Sequence, residues 1–255
     1  MERLDVDYVA LSGHKLYAPF GAGALIGRRD WLDAGEPMLA GGGAVRFVTI
    51  DDVSWADSPG RHEAGSPNVV GAMALGVACQ TLSDYGMDRI AAEEAALHAA
   101  LSSALEKIGG IHRYRVWDRA NPCIGVVTFN MEDQPHGLVA AALAAEQGIS
   151  VRSGCFCAHP LMLRLLGLPE DEAERVRQEM ISGCVTVMPG AVRLSTGLAT
   201  TFQDVARVAD ALAKLAAGGP SWSYRRDPMT GEYVPDPDDR ALPSFGGRVM
   251  TSGAR

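Results

Sequence analysis

The sequence predicts an α/β fold in two blocks followed by an extended tail. Three observations carry this. Short apolar runs bounded by glycine or proline alternate with longer segments of helical periodicity. Between residues 87 and 217 that alternation is regular, as in a compact α/β unit. After Gly218-Gly219-Pro220 the composition shifts to proline and charge, with Pro228, Pro235, Pro237 and Pro243 in the last stretch. The expected blocks are therefore 1–85, 86–217 and a tail at 218–255, the tail extended because so few aliphatic residues give it nothing to bury.

Taken in order, Asp7-Tyr8-Val9-Ala10-Leu11-Ser12 reads as a strand ended by Gly13, and Gly23–Gly27 as a second. Residues 28–34 suit one or two helical turns. Gly41-Gly42-Gly43 must be a loop, because three glycines lose too much backbone entropy inside an element. Residues 45–51 read as extended. Pro67-Asn68 opens a helix to about Tyr85, and Gly86 breaks it. Residues 87–108 form an amphipathic helix, with Leu97, Leu101 and Leu105 on one face and Glu93, Glu94 and Glu106 on others. Strands are expected at 112–116, 124–129, 149–152 and 192–195. Helices are expected at 137–147, 160–166, 169–180 and 202–216.

Composition bounds the function. The chain has 255 residues and a net charge of −8, with a pI near 5.2. An acidic chain without a basic stripe is a poor fit to a duplex nucleic acid. No run is long and apolar enough to span a bilayer, and Met1-Glu2-Arg3-Leu4-Asp5 is no signal core. Five cysteines without a signal read as reduced thiols in the cytoplasm. Lysines number only three, Lys15, Lys107 and Lys214, so any lysine chemistry has few candidates.

Lys15 follows a strand and a glycine turn, where α/β proteins place ligands. Its neighbours Leu16, Tyr17 and Pro19 offer an apolar setting that favours the neutral, nucleophilic amine; a surface lysine capping a turn is the competing reading. Lys107 and Lys214 lie on amphipathic helices and read as solvated charges. In Arg152-Ser153-Gly154-Cys155-Phe156-Cys157-Ala158-His159-Pro160, the C-x-C-x-H spacing is wrong for structural zinc and no second pair exists, so no metal is expected. Cys155 and Cys157 are instead reactive-thiol candidates. Arg152, His159 and a following helix N-terminus all stabilise a thiolate at Cys157. Cys79, Cys123 and Cys184 read as inert, buried cysteines. Arg193, between Val192 and Leu194, either snorkels at a strand edge or binds a carboxylate bidentately. Glu63-Ala64-Gly65-Ser66-Pro67-Asn68 offers an anion contact or an ordinary helix N-cap.

These segments together resemble the class V aminotransferase-fold enzymes that depend on pyridoxal 5'-phosphate, and within them the cysteine desulfurases. Asp7 to Tyr17 is similar to their cofactor-lysine segment, and Arg61 to Asn68 to their phosphate-contact segment. Val151 to Pro160 resembles the loop bearing the desulfurase cysteine, and Ala191 to Ser195 the strand with the carboxylate-binding arginine. The likeness covers about residues 1–217. It implies fold type I, as a partial large domain followed by a small α/β C-terminal domain. It implies that Lys15 carries the cofactor as a Schiff base and moves the α-proton, and that Ser12 and His14 contact its phosphate. Ser66 would reach the phosphate in a partner subunit, which implies a homodimer. Arg193, with Arg152 beside it, would bind the substrate carboxylate. Cys157 would take sulfur from L-cysteine as a persulfide, leaving L-alanine, and pass it to a sulfur-acceptor protein.

Two departures belong to the same reading. Many desulfurases carry two histidines before the cysteine, where this chain has Cys155 and Phe156. Cys-Phe-Cys is closer to the loop of molybdenum-cofactor sulfurases, and makes Cys155 a candidate to resolve a persulfide or form a regulatory disulfide. Further, the family carries most of its large domain before the lysine, and only fourteen residues precede Lys15 here. The expectation is a truncated frame, a half-enzyme whose N-terminal half is a separate chain, or a degenerate remnant. The rival activities are epimerisation or C–S cleavage on the same fold, and a non-catalytic subunit.

Overall fold

The computed structural model describes residues 5–117, 123–182, 188–228 and 230–241. These fall into two units, Met1–Arg89 and Ile90–Arg255.

The first unit begins with an antiparallel hairpin of β1 (Tyr8–Ser12) and β2 (Gly23–Gly27), paired from Tyr8↔Gly27 to Ser12↔Gly23. Between them runs a single 3-10 turn, Gly13–Leu16. Helix α1 (Arg29–Ala34) follows. Residues 45–51, expected as one extended segment, contribute to a second hairpin of β3 (Val45–Val48) and β4 (Val53–Trp55). The Thr49 side chain, which accepts from Asp52 N at 2.9 Å, closes its turn. Helix α2 (Val69–Tyr85) completes the unit. Buried apolar residues are few in this unit: among the described residues, Ala18 and Ala44. Val69, Val70, Met73 and Val77 line exposed parts of α2, and Phe47, Ile50, Met38 and Leu39 are also exposed.

The second unit holds the hydrophobic core. Helix α3 (Met87–Glu106), whose first three residues belong to the first unit, supplies Leu97, Leu101 and Leu105 to it. A four-stranded antiparallel sheet runs in the order β5 (Ile111–Tyr114), β6 (Val126–Met131), β8 (Ala191–Ser195), β7 (Arg152–Gly154). On β6 the alternation is strict: Val127, Phe129 and Met131 are buried, with Thr128 and Asn130 on the opposite face. Val192 and Leu194 of β8 share the core face. Helices α3, α4 (His136–Gln147) and α7 (Phe202–Gly218) bury against that face. On the other face a smaller cluster of Cys155, Met162 and Ala191 packs under α5 (His159–Leu166). Helix α6 (Glu170–Ile181) is charged and carries no buried residue. Helix α7 opens on a capping box in which Thr201 and Asp204 satisfy each other's backbone N–H groups.

Two expectations are corrected here. The strand placed at 149–152 lies at Arg152–Gly154, because Ile149 is taken into the core and pairing with β8 begins only at Arg152. The tail is not simply extended. Residues Tyr224–Arg226 (β9) and Tyr233–Pro235 (β10) form a hairpin that packs on α4. The Glu146 carboxylate anchors it, accepting from Ser221 N and Trp222 N at 3.1 Å each and from Tyr224 Oη at 3.0 Å. Burial, followed by this hydrogen bond, pushes the Tyr224 phenol up. Among the described residues no helix is long and apolar enough to cross a membrane.

Candidate active site

In the first unit, the lysine turn is shaped by a close backbone approach. Gly13 N donates to Ala22 O at 2.8 Å, and Ala18 N donates to Gly13 O at 3.0 Å. A Cβ on Gly13 would lie 2.6 Å from Ala22 O, so the position takes only glycine. This folds His14 and Lys15 out at the tip, where both are exposed. The apolar setting expected for Lys15 is not made by its neighbours. Leu16 is half-buried, and Tyr17 turns outward in left-handed backbone at φ +65°. Ser12 occupies the N-cap position of the turn, yet its side chain makes no capping hydrogen bond.

The Ser66 segment is tied to the same turn through Asn68. Its Oδ1 accepts from Gly71 N at 3.0 Å, capping α2, while its Nδ2 donates to Phe20 O at 2.6 Å. Gly71 permits this, since a Cβ there would lie 2.4 Å from Asn68 Nδ2 and 2.8 Å from Phe20 O. The N-cap reading of the segment therefore holds for Asn68, whereas Ser66 itself is exposed. Upstream, Gly65 N donates to Gly42 O at 2.8 Å, so the triple-glycine loop holds the Ser66 segment in place. Ser58 N donates to Asp33 Oδ1 at 2.8 Å and holds that carboxyl below its usual range.

In the second unit, Arg193 pairs across the sheet with Thr128 on one side and Arg152 on the other. Two arginines facing each other on neighbouring strands repel unless an anion lies between them. Neither has an acidic partner among the described residues. Arg193 Nε is buried without a hydrogen bond, and its guanidinium carbon lies 5.2 Å from the Phe156 ring centroid. Arg193 also borders a cavity of about 500 Å³ shared with Thr128, Tyr114, Arg115 and His98. Burial, then the charges of Arg115 and Arg113, push the His98 imidazole down.

The cysteine loop sits next to Arg193. Cys157 is exposed, one residue before the Ala158 cap of α5. Phe156 and Cys157 are both left-handed, at φ +54° and +59°. Ala158 N closes the turn on Cys155 O at 2.8 Å. Cys155 behaves differently from the expectation of a second reactive thiol. It is buried, its Sγ donates to Pro189 O at 3.1 Å, and burial pushes its thiol up. Cys79, expected to be buried, is exposed; Cys123 is half-buried; Cys184 lies outside the described residues. No group of three metal-ligating side chains occurs among the described residues.

Sequence reasoning missed three organisers of this site. Phe156 faces Arg193 through a left-handed position that its residue type does not advertise. Asn130 Nδ2 donates to Gly190 O at 3.0 Å, fixing the segment that enters β8. Gly190 meets Gly154 so closely that an added Cβ would lie 2.6 Å from Gly154 Cα. The G-A pair before Arg193 was the available signal for this last contact.

Known proteins resemble this chain over part of their length. The probable cysteine desulfurase of Halalkalibacterium halodurans is 40% identical over 163 residues, which are 64% of this chain and 39% of the relative. That of Vibrio cholerae is 37% identical over 211 residues, 83% of this chain and 46% of the relative. The crystal structure of the cysteine desulfurase CsdA from Escherichia coli superposes with a TM-score of 0.69 at 30% identity, covering 84% of this chain and 47% of that one. The chain thus spans less than half the length of these relatives. The family model for aminotransferase class V matches residues 1–208, which include the lysine turn, the Ser66 segment, the cysteine loop and the Arg193 strand, and on that match the chain belongs to aminotransferase class V.

Proposed function

We propose that this chain carries the lysine, anion-binding and thiol elements of a pyridoxal 5'-phosphate-dependent cysteine desulfurase, with L-cysteine as sulfur donor. The observation that supports it most is an exposed thiol in the loop beside β8, one residue from a ring that packs on a guanidinium with no carboxylate partner among the described residues. Phe156 stacks on Arg193 and the next residue is Cys157. A transamination or epimerisation has no use for that thiol.

The residues suit the cofactor. Ser12 offers a hydroxyl not spent on capping, and Lys15 an exposed amine without an ionic partner among the described residues. Ser12, His14 and Ser66 would donate to the phosphate, and Lys15 would hold the cofactor covalently. The bound cofactor supplies an electron sink for the carbanion chemistry at the substrate carbons. Arg193, with Arg152 opposite, binds the substrate carboxylate in a bidentate contact that fixes which bonds face the thiol. Lys15 removes and returns the proton at Cα. Cys157 attacks the substrate sulfur: an S–S bond forms, the substrate C–S bond breaks, and the released carbon is protonated. L-cysteine and one thiol thereby give L-alanine and one persulfide. A homodimer in which Ser66 serves the partner's cofactor, transfer of the persulfide sulfur to an acceptor protein, and a cytoplasmic setting complete the proposal.

The test is an absorbance titration of the purified chain with pyridoxal phosphate beside Lys15→Ala, followed by alanine and sulfide assays with Cys157→Ser. A borohydride-sensitive visible band lost in the lysine variant, and turnover lost in the cysteine variant, are expected. Identical spectra from the two proteins would remove Lys15 from the chemistry. Full turnover in Cys157→Ser would replace desulfuration with another class V reaction.

A further inference from the structure

Phe156 stands between the two groups that the desulfurase reading requires. Its backbone is the first of two consecutive left-handed residues, and the second is Cys157. Such backbone is unfavourable for an ordinary L-residue, and it persists only where the surroundings over-determine it. Hairpin-type turns with this geometry usually use Asn or Gly; this one uses Phe-Cys. Two contacts compensate. Cys155 anchors the turn's first residue to Pro189 O. The Phe156 ring packs on the cluster of Cys155, Met162 and Ala191, and lies 5.2 Å from the Arg193 guanidinium.

From the side of Arg193 the same contact is unusual. The guanidinium is flanked by Arg152, has no carboxylate among the described residues, and keeps Nε without a partner. An aromatic face is a partner that stabilises the cation and leaves its in-plane N–H donors unspent. Those donors then remain for an incoming carboxylate. The ring that orients them is joined by one peptide bond to the thiol.

We propose that Phe156 is a positioning residue that couples carboxylate capture by Arg193 to the placement of the Cys157 thiol, which makes the free α-carboxylate a specificity determinant. The substrate half of this inference rests on the desulfurase reading, and the mechanical half does not. A shift of the guanidinium moves the ring, and the ring carries the turn; a carboxylate on Arg193 therefore sets where the sulfur stands.

Two measurements on the full chain test it. The first needs no turnover. Alkylation of Cys157 by iodoacetamide is followed by peptide-resolved mass spectrometry in wild type, Phe156→Leu, Arg193→Met and the double variant. Each single change is expected to shift the rate at least about threefold, and the double to match the singles, as coupled sites do. Independent, multiplying effects, or an unchanged rate in either single variant, would overturn the coupling. Arg193→Met keeps the Phe156 side chain in the sequence and removes only the guanidinium it packs against, so its result decides the question even where Phe156→Leu does not fold. Phe156→Tyr keeps the aromatic face and is expected to restore the wild-type rate. The second compares L-cysteine with L-cysteine methyl ester. Phe156→Leu is expected to lower kcat on both substrates, because the thiol is displaced, and to raise KM about 5- to 20-fold for L-cysteine alone. Equal losses of kcat/KM on both substrates would overturn the specificity role. Absence of turnover in the wild type would instead remove the desulfurase reading, leaving the alkylation cycle to judge the coupling.

Discussion

Asn68→Ala should loosen the lysine turn and the start of α2 together. Asn68 makes two hydrogen bonds with separate consequences. Its Oδ1 caps α2 at Gly71 N, and its Nδ2 bonds Phe20 O, in the loop that follows Lys15. Losing a cap costs about 1 kcal/mol. Losing one neutral side-chain hydrogen bond costs about 1 kcal/mol more. Asn68 is exposed, so water can reach the abandoned carbonyl and no desolvation penalty is added. The sum, about 2 kcal/mol, corresponds to local opening about 30-fold more frequent. Asn68→Asp divides the two effects, because the carboxylate keeps the cap and loses the donor. Hydrogen exchange followed by mass spectrometry on peptides covering 13–22 and 68–75 reads both regions. Faster exchange in both peptides is expected for Asn68→Ala, and in the 13–22 peptide alone for Asn68→Asp. If the 13–22 peptide exchanges at the wild-type rate in both variants, Asn68 is only a helix cap, and the lysine turn is held by something else.

Other outcomes are as specific. Glu146→Gln should free the β9–β10 hairpin, since one carboxylate holds three donors there; tryptic cleavage at Arg225 and Arg226 should accelerate about tenfold. Phe129 is fully buried at the centre of the sheet, and Phe129→Ala should cost the second unit about 3–5 kcal/mol, read as a lower denaturation midpoint by Trp222 fluorescence. Glu174 is lowered from 4.5 to about 2 by hydrogen bonds from Arg177 and Gln178. A carboxyl with a depressed folded value contributes stability above its ordinary value and loses it as pH falls through the folded one. Amide protection in α6 should therefore decline as pH drops from about 4.5 toward 2, and added salt should weaken the part due to Arg177.

The parts of the fold legible in the sequence are those decided by local periodicity. Leu97, Leu101 and Leu105 announce their helix face, and the apolar run at 124–129 announces the strand that becomes β6. The parts that were not legible depend on a distant partner. Val151 and Ile149 are as apolar as any strand residue, yet the strand begins at Arg152 because that is where β8 runs alongside. The tail looks too polar to order itself, and its order comes from Glu146, 75 residues upstream of Ser221. The second hairpin of the first unit was likewise hidden, since its turn is made by the Thr49 side chain instead of Gly or Asn.

The candidate site shows the same division at the scale of single atoms. Residue types announce chemistry: a lysine after a glycine turn, an arginine inside an apolar strand, two cysteines before a helix. Which cysteine reacts is decided by environment, and here the environment separates two thiols two residues apart. Pro189 O accepts a hydrogen bond from the Cys155 thiol, and the surrounding apolar cluster removes it from solvent. The left-handed turn carries Cys157 the other way, into solvent and to the cap of α5. Neither Pro189 nor the turn's handedness is visible in C-x-C spacing. The strain at Phe156 and Cys157 is the kind that folding alone would remove, because Asn-Gly would build the turn at lower cost. Its retention places a bulky ring on Arg193 and a thiol beside it. The local rule is thus broken where the proposed chemistry needs two groups held in one loop.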